Sequence, residues 1–414
     1  MSEEHDLLDN IFDGFLRGPK IFKDREVLRP DYVPEHLPHR NEQLQQIGEI
    51  LVPVLRGFRG SNLFIYGNTG TGKTAVVKHV LDRLIHKGHE IGASVEGCYL
   101  NCRLIGTDYR ILARLGESLG IKIPFTGLAT NEVFERFKSE LNVKHTLIIV
   151  VLDEIDALVK AQGDALLYEL TRINENLKNG RLSIIGISND LRFKELLDPR
   201  VLSSLSEEEV IFKPYIATEI KDILLERAKI SFVENTLSDG ALNLCSALAA
   251  AEHGDARRAL DLLRIAGELA EREGSLVVNE SHIRHAGEEI EQDRVVTVLK
   301  TLPLHSKLVV CGTYLMKKVR TEGSITGDIY EVYKELCGQL NLEALTQRRV
   351  SGLINELDII GLLNARVVNL GRYGRTKKVR LGVSYSIVKD VFNEDVWLNQ
   401  VMTYSPKCIG EKNN

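Results

Sequence analysis

The sequence predicts an α/β domain with a buried parallel sheet, followed by an all-helical domain and a C-terminal helix-turn-helix domain with a basic wing. Between about residues 40 and 217, short β-branched apolar runs alternate with amphipathic helical patterns, which is typical of a parallel sheet covered on both faces. From residue 218 to about 290 only helical periodicity remains. After about residue 295 helices resume and then give way to an alternating basic stretch, which predicts a hairpin beside a pair of helices.

Length and composition indicate a globular chain of about three domains. The 414 residues are 43% hydrophobic and 27% charged, which argues against a disordered or fibrous protein. No apolar run approaches the roughly 18 residues that cross a bilayer, and the acidic N-terminus has no secretory-signal core. The six cysteines form no C-x-x-C pair, so neither a disulfide scaffold nor a zinc site is expected. We therefore expect a cytoplasmic protein with no membrane partner.

Charge is distributed unevenly along the chain. The net charge is −5, but residues 291–414 carry 18 Lys and Arg against 13 Asp and Glu, a local +5 that leaves −10 for the rest. A basic C-terminal part on an acidic body favours a polyanionic partner for that part. A solvated basic surface would give the same charge count, so the sequence motifs are needed to distinguish it from a binding surface.

A phosphate-binding loop is predicted at Gly67–Thr74, which matches G-x-x-x-x-G-K-[ST] at every position. The apolar run Asn62–Tyr66 leads into it and an amphipathic helix leads out. Such a loop binds phosphate because backbone N–H groups and the helix N-terminus surround the anion. We expect ATP or ADP here, with Lys73 on the β- and γ-phosphates and Thr74 on Mg²⁺. The predicted nucleotide contacts of the loop are Asn68, Thr69, Gly70, Thr71, Gly72, Lys73, Thr74 and Ala75.

Two acidic side chains follow the second apolar run of the predicted sheet. The run Thr146–Leu152 ends directly before Asp153 and Glu154, and ligands of open α/β sheets bind at the carboxyl ends of the strands. We expect Asp153 to hold Mg²⁺, directly or through water, and Glu154 to orient and deprotonate the attacking water. An acidic surface turn is the alternative, which the apolar residues just before the acids disfavour.

Three further polar residues are expected beside the γ-phosphate. A third run, Ser183–Ile187, leads to Asn189, which could position the water, although Ser-Asn-Asp is also a common turn. Arg257 and Arg258 fall in the first turn of a predicted helix, where the helix dipole disfavours each cation by roughly 0.3–1 kcal/mol, and a phosphate that faces one of them would offset that cost. The alternative is an exposed pair with negligible cost. Arg200 follows an Asp-Pro pair and is either an arginine finger that reaches a neighbouring subunit's nucleotide or a loop cation.

The C-terminal part predicts a DNA-binding helix-turn-helix. A helix that buries Val350 and Leu357 carries Arg348 and Arg349 on its opposite face, and the N-terminal part of such a second helix meets base edges. Residues 364–380 then hold six cations and no acid, which predicts a hairpin wing on the phosphate backbone or in the minor groove. The wing residues expected to contact DNA are Arg372, Tyr373, Arg375 and Lys377.

In chain order these motifs resemble those of an AAA+ ATPase: Walker A, Walker B, sensor 1, arginine finger and sensor 2. Five narrower stretches are similar to those of archaeal replication initiators, which are relatives of origin recognition complex subunit 1 and of the helicase loader Cdc6. These stretches are Leu37–Arg40, Asp198–Leu205, His253–Asp261, Thr346–Ser351 and Gly371–Arg375. The resemblance covers nearly the whole chain and implies an α/β AAA+ P-loop NTPase with a helical lid and a C-terminal winged helix.

The resemblance also implies site residues and partners. Tyr215 and Arg227 match positions that lie against ATP, and Arg257 matches sensor 2. The loop Gly120–Gly127 matches an inserted motif that touches DNA, and there we expect Lys122 and Phe125, with two neighbouring isoleucines, to be presented to the duplex. The alternative is that these apolar residues fold back onto the flanking helices. The implied partners are double-stranded origin DNA, the replicative minichromosome maintenance helicase, and other copies or paralogues on DNA.

We therefore predict four parts, namely an N-terminal segment (1–30), an AAA+ domain (31–217), a lid (218–292) and a winged-helix domain (293–414). The expected function is that of an ATP-regulated replication initiator, associated with the nucleoid, which binds double-stranded origin DNA and helps recruit the helicase. Slow hydrolysis of ATP to ADP and phosphate would act as a switch. An ATP-modulated transcriptional regulator is the alternative. A clamp loader is disfavoured by the winged helix and by the lack of a collar-like helical domain.

Overall fold

The computed structural model describes residues 20–30, 32–124, 127–317, 323–369 and 375–407. The chain divides into two compact units, Met1–Ala286 and Gly287–Asn414. Among the described residues, no helix combines the length and the apolar character that spanning a bilayer requires.

A five-stranded parallel sheet lies at the centre of the first unit. Its strands are β1 (Leu63–Gly67), β2 (Val95–Asn101), β3 (Leu147–Asp153), β4 (Arg181–Ser188) and β5 (Glu208–Phe212). Their order is β2-β3-β4-β1-β5. All residues of β3 are buried because helices cover both faces of the sheet. The ends of β1, β3 and β4 are level with one another, which brings the polar residues that follow them to one edge.

Eight helices accompany the sheet among the described residues. They are α1 (Asn41–Leu51), α2 (Lys73–Glu90), α3 (Cys102–Ile105), α4 (Asp108–Ser118), α5 (Thr130–Lys144), α6 (Ile155–Gln162), α7 (Ala165–Arg172) and α8 (Pro199–Leu205). Single 3₁₀ turns occur at Arg25–Leu28, Val52–Arg56, Ile173–Glu175 and Phe193–Leu196. Alternate residues of β3 enter two separate cores, one shared with α1 and α2 and the other with α4 to α7.

The helical part of the first unit is formed by α9 (Ala217–Ser231), α10 (Asp239–Ala251), α11 (Ala256–Arg272) and the first residues of α12 (Glu280–Thr301), a helix that continues past Ala286 into the second unit. Residues 20–30 and 32–39 are attached to it. The rings of Phe22 and Phe232 lie 4.8 Å apart, and Glu271 Oε1 accepts from the N–H of Ile21 at 3.1 Å. Farther along, His36 Nδ1 lies 3.0 Å from a carboxylate oxygen of Glu226 in α9. This segment is therefore an integral part of the helical body.

The second unit contains a helix-turn-helix and a three-stranded antiparallel sheet of order β6-β8-β7. Its elements are α13 (Leu304–Lys317), β6 (Ser324–Ile325), α14 (Thr326–Gln339), α15 (Gln347–Ile359), β7 (Leu363–Asn369), β8 (Arg375–Leu381) and α16 (Tyr385–Glu394). Thr346 caps the start of α15, because its Oγ1 accepts from the N–H of Arg349. The apolar face of α15 is buried, as the sequence pattern predicts.

Candidate functional site

A cavity of about 730 Å³ opens where β1, β3 and β4 end. One end of the cavity is polar and is formed by residues 70–75 together with Asp153, Glu154, Asn189 and Arg257. The other end is lined by residues of the segment 29–38 and of the helices α9 and α11, and it is richer in apolar side chains, although Glu226 and Arg227 also belong to it. A charged end and a more apolar end in a cavity of this size fit a nucleotide, with phosphates at one end and a base at the other.

The phosphate loop ends at Gly72, whose left-handed backbone (φ +89°) leads into α2. Lys73 is the first residue of α2 and is 5% exposed. Its Nζ donates to the carbonyl oxygens of Gly67 at 2.8 Å and of Asn68 at 2.7 Å. Burial lowers the pKa of Lys73 to about 8, and the cation of Arg257 acts in the same direction, while Asp153 opposes the shift. A buried cation of this kind favours an anionic ligand.

Asp153, at the end of β3, is 4% exposed and is held in place by three donors. Its Oδ2 accepts from Thr74 Oγ1 and from Tyr99 Oη, both at 2.7 Å, and its Oδ1 accepts from the N–H of Glu154 at 2.9 Å. The hydroxyl and the carboxylate predicted to hold Mg²⁺ are therefore in contact, and both are the oxygen donors that this ion prefers. Tyr99 was not expected from the sequence. Burial and the bond to Asp153 raise its pKa.

Glu154 has a left-handed backbone (φ +52°), which is unusual for a residue with a long side chain. Such strain concentrates at functional sites. The Glu154 carboxylate lines the cavity, and its Oε2 lies 3.8 Å from Nη1 of Arg103, which follows β2. The structure thus places the expected general base beside the predicted Mg²⁺ residues.

Asn189 and Arg257 line the same end of the cavity. The two neighbours of Asn189 bind elsewhere: Ser188 Oγ donates to Asp156 at 3.0 Å, and Asp190 pairs with Lys160 at 2.6 Å. Arg257 lies in the first turn of α11 and is exposed. The structure therefore places a neutral amide and a cation in the lining of the cavity, and their roles at a γ-phosphate stay predictions.

Tyr215 and Arg227 occupy different parts of the cavity wall. Tyr215 is 6% exposed, and its hydroxyl covers the loop so closely that a Cβ at Gly72 would lie 2.9 Å from it. Arg227 Nη1 donates to the carbonyl of Val27 at 3.3 Å, and its Nη2 donates to that of Tyr32 at 3.4 Å, so this guanidinium holds the segment at the apolar end.

Arg40 contacts the phosphate loop, a role that the sequence analysis did not assign to it. It is 4% exposed, and its guanidinium lies 3.7 Å above the ring of Tyr215. Its Nε donates to the carbonyl of Thr71 at 2.9 Å. Its position in the stretch Leu37–Arg40 was the only sequence signal.

Arg200 lies away from the cavity lining. It is exposed on α8, and its Nε donates to Oδ1 of the helix-capping Asp198 at 3.1 Å. This contact raises the pKa of Arg200. Within one chain the arginine therefore has an internal carboxylate partner, and its role as a finger in a neighbouring subunit stays a prediction.

The loop between α4 and α5 differs from expectation in part. Ile123 is buried against Gly116 of α4, and Ile121 packs against the same core. The expectation that these isoleucines are presented to DNA is wrong, because they contribute to the core beneath the helices instead. Lys122 is exposed between them, and Phe125 lies outside the described residues.

A groove of about 520 Å³ lies between the start of α15 and the hairpin β7–β8. Arg348, Arg375 and Lys377 line it. Arg349 points its Nη1 to Glu356 Oε1 at 3.2 Å, and Lys377 Nζ donates to Asn355 Oδ1. The two helix arginines therefore differ, since only Arg348 borders the groove. Arg372 and Tyr373 lie outside the described residues.

Comparisons with known proteins cover most of the chain. Three family models match: an AAA ATPase domain over residues 36–185, a Cdc6 AAA+ ATPase-type lid domain over 221–288 and a CDC6 C-terminal winged helix domain over 297–391. The ORC1-type DNA replication protein of Thermococcus onnurineus is 53% identical over 402 residues, which are 96% of this chain and 97% of that one. That of Pyrococcus abyssi is 52% identical over 412 residues, 98% of each chain.

A solved structure is similar over almost the same extent. The Aeropyrum pernix ORC1 protein in complex with DNA is 48% identical, with a TM-score of 0.79 over 92% of this chain and 99% of that one. These matches confirm the predicted fold class, an AAA+ domain followed by a helical lid and a winged helix.

Proposed function

The chain belongs to the Orc1/Cdc6 family of DNA replication initiators, and on this basis we propose that it binds double-stranded origin DNA under the control of ATP. The observation that carries the proposal is that one chain combines a nucleotide-sized cavity, with a buried cation at its polar end, and a basic groove beside a helix-turn-helix. The DNA complex of the 48% identical Aeropyrum pernix protein supports duplex binding here.

The nucleotide roles follow from the contacts in the cavity. Residues 68–75 would bind the phosphates of ATP or ADP, with Lys73 and Arg257 supplying positive charge. Thr74 and Asp153 would hold Mg²⁺, which neutralises phosphate charge when bound. Tyr215 and Arg227 would line the rest of the nucleotide site.

Hydrolysis would be slow and would act as a switch. Asn189 would position the attacking water, and Glu154 would accept a proton from this water. Arg200 is exposed and does not line the cavity of its own chain, so it would reach a nucleotide only in a neighbouring copy or paralogue. An incomplete site in the single chain supports low turnover until such a neighbour binds.

The DNA roles divide between helix and wing. Arg348, at the start of α15, would read base edges in the major groove, and Arg349 would do so once released from Glu356. Arg375 and Lys377, with Arg372 and Tyr373, would bind phosphates or the minor groove. Lys122 and Phe125 of the loop between α4 and α5 would add a second contact, for which exposed Lys122 is the support.

We also propose that the DNA-bound protein recruits the replicative minichromosome maintenance helicase. Chromosome-wide footprinting distinguishes a replication initiator from a transcriptional regulator. The experiment compares the wild-type chain, which is competent to bind Mg-ATP, with the Lys73→Ala variant. Sites clustered at one or a few replication start loci, with helicase recovered there only for the competent form, are the expected result. Sites confined to promoters, with no helicase at any of them, would overturn the proposal in favour of a regulator.

A further inference from the structure

Two consecutive carbonyl groups of the phosphate loop are held by partners outside the loop. The carbonyl of Gly70 accepts from the N–H of Ala256, the first residue of α11, at 3.2 Å. The carbonyl of Thr71 accepts from Nε of Arg40 at 2.9 Å. The N–H of a helix's first residue has no partner within the helix, so the contact between Ala256 and Gly70 uses a donor that would otherwise need water.

These contacts determine where the next N–H groups point. In a planar trans peptide, the C=O of one residue and the N–H of the following residue point in opposite directions. With the Gly70 carbonyl held by α11, the N–H of Thr71 is turned away from that helix. With the Thr71 carbonyl held by Arg40, the N–H of Gly72 is turned away from the guanidinium. Both N–H groups belong to the set that such a loop offers to phosphate.

Asp255 fastens the lid to this side of the loop. Its Oδ1 accepts from the N–H groups of Arg257 at 2.8 Å and Arg258 at 3.2 Å, so it caps α11. Its Oδ2 accepts from Thr69 Oγ1 at 3.2 Å. The approach is close, because a Cβ on Gly70 (φ +67°) would lie 1.7 Å from Asp255 Oδ1. Only glycine at this position lets the helix dock.

Arg40 is suited to hold the other side without moving. Besides Thr71, its guanidinium donates to the carbonyls of Lys213 at 2.9 Å and His39 at 3.1 Å. It also stacks 3.7 Å above the ring of Tyr215. A planar fork that serves three carbonyls and one ring has a single orientation, which a lysine cannot reproduce.

We propose that Arg40 and Asp255 are positioning residues that orient the phosphate-binding N–H groups of Thr71 and Gly72 before a nucleotide arrives. Docking of the lid and binding of the β-phosphate are then coupled, because the start of α11 is part of the device that aligns the loop. This inference rests on the nucleotide binding proposed above.

The test compares the affinities of the full chain for Mg-ADP and for AMP, each measured by competition with a fluorescent ADP analogue. AMP lacks the β-phosphate, so the ratio of the two affinities isolates what the loop contributes. Arg40→Lys, Asp255→Ala and Thr69→Val should each reduce this ratio about tenfold, since a misaligned N–H loses a hydrogen bond to a charged group. Thr69→Val keeps the shape of the side chain and leaves the cap of α11 intact. It removes the hydroxyl that donates a hydrogen bond to Asp255.

Two control variants remove similar contacts elsewhere. Ser238→Ala deletes the cap of α10 in the same helical body, and Arg59→Lys weakens an ion pair with Glu207. Both should keep the wild-type ratio even where they lower the melting temperature. If Arg40→Lys and Thr69→Val also keep it, Arg40 and Asp255 are merely structural and the inference is overturned. A wild-type protein that binds neither nucleotide would overturn the proposed function itself, which is a different outcome.

Discussion

Nucleotide affinity should fall above pH 8 because of Lys73. In the nucleotide-free protein burial lowers the pKa of this lysine to about 8, partly opposed by Asp153. Phosphate oxygens next to the ammonium favour its charged form, so the pKa rises again in the complex. Binding above pH 8 is therefore coupled to the uptake of one proton. The ordinary pKa of an exposed lysine, 10.5, marks the upper end of the pH window.

The size of the effect follows from the shifted pKa. With a pKa of about 8, about ten in eleven molecules are charged at pH 7 and about one in eleven at pH 9. Affinity for Mg-ADP should thus drop about tenfold over this interval, with about 0.9 proton taken up per nucleotide at pH 9.

The folding stability of the nucleotide-free protein should have the opposite trend and increase with pH. The lowered folded-state pKa of a cation destabilises the fold below pH 8, and this cost is relieved between pH 8 and 10.5.

Titration calorimetry with Mg-ADP at pH 7, 8 and 9, in pairs of buffers that differ in ionisation enthalpy, measures both quantities. Lys73→Arg is the matched control, since a guanidinium stays charged throughout and should bind without proton uptake. Absence of proton uptake by the wild-type protein at pH 9, together with a constant affinity, would refute the reasoning.

Three further predictions concern other residues. Glu154→Gln should retain ATP and lose hydrolysis, as followed by phosphate release, and wild-type turnover would remove Glu154 from the general-base role. Arg200→Ala should leave the nucleotide affinity of the isolated chain almost unchanged and should slow ATP turnover only in DNA-bound assemblies. A large loss of nucleotide affinity in the isolated chain would mean that Arg200 acts within its own chain. Arg348→Ala should cost roughly 1–3 kcal/mol on the preferred duplex only, while Arg375→Ala should weaken all duplexes and reduce the salt slope by about one. Equal losses on specific and random DNA from both variants would contradict this division.

The central strands of the sheet were predictable and its edges were not. β1, β3 and β4 are rich in apolar residues and almost wholly buried because helices cover both of their faces. β2 contains an exposed Glu96 followed by a glycine, and β5 begins with two exposed glutamates and includes the exposed Ile211. Edge strands need less apolar character, so sequence pattern alone does not separate them from loops.

The site was predictable where a motif is local and missed where distant segments meet. The phosphate loop and the Asp153–Glu154 pair are contiguous in sequence, and their flanking elements predict their place. Tyr99 reaches Asp153 across 54 positions, and Arg40 reaches Thr71 across 31, contacts that no periodicity encodes. The burial of Ile123 likewise depends on how α4 packs, since an apolar residue in a short loop gives no local sign of the direction it faces.

Because residues 20–30 and 32–39 are attached to the helical body, two separate parts of the first unit line the cavity. Phe22, Arg227 and His36 tie this segment to α9 and its neighbours, so a rotation of the lid would carry this segment and Arg257 with it and would leave Lys73 with the sheet. A phosphate between Lys73 and Arg257 would therefore touch both parts, and the rest of a nucleotide would add contacts to the segment that the lid carries. Free adenosine, which lacks the phosphates, should leave the contact between the lid and the phosphate loop as it is without ligand, whereas inorganic phosphate should strengthen it.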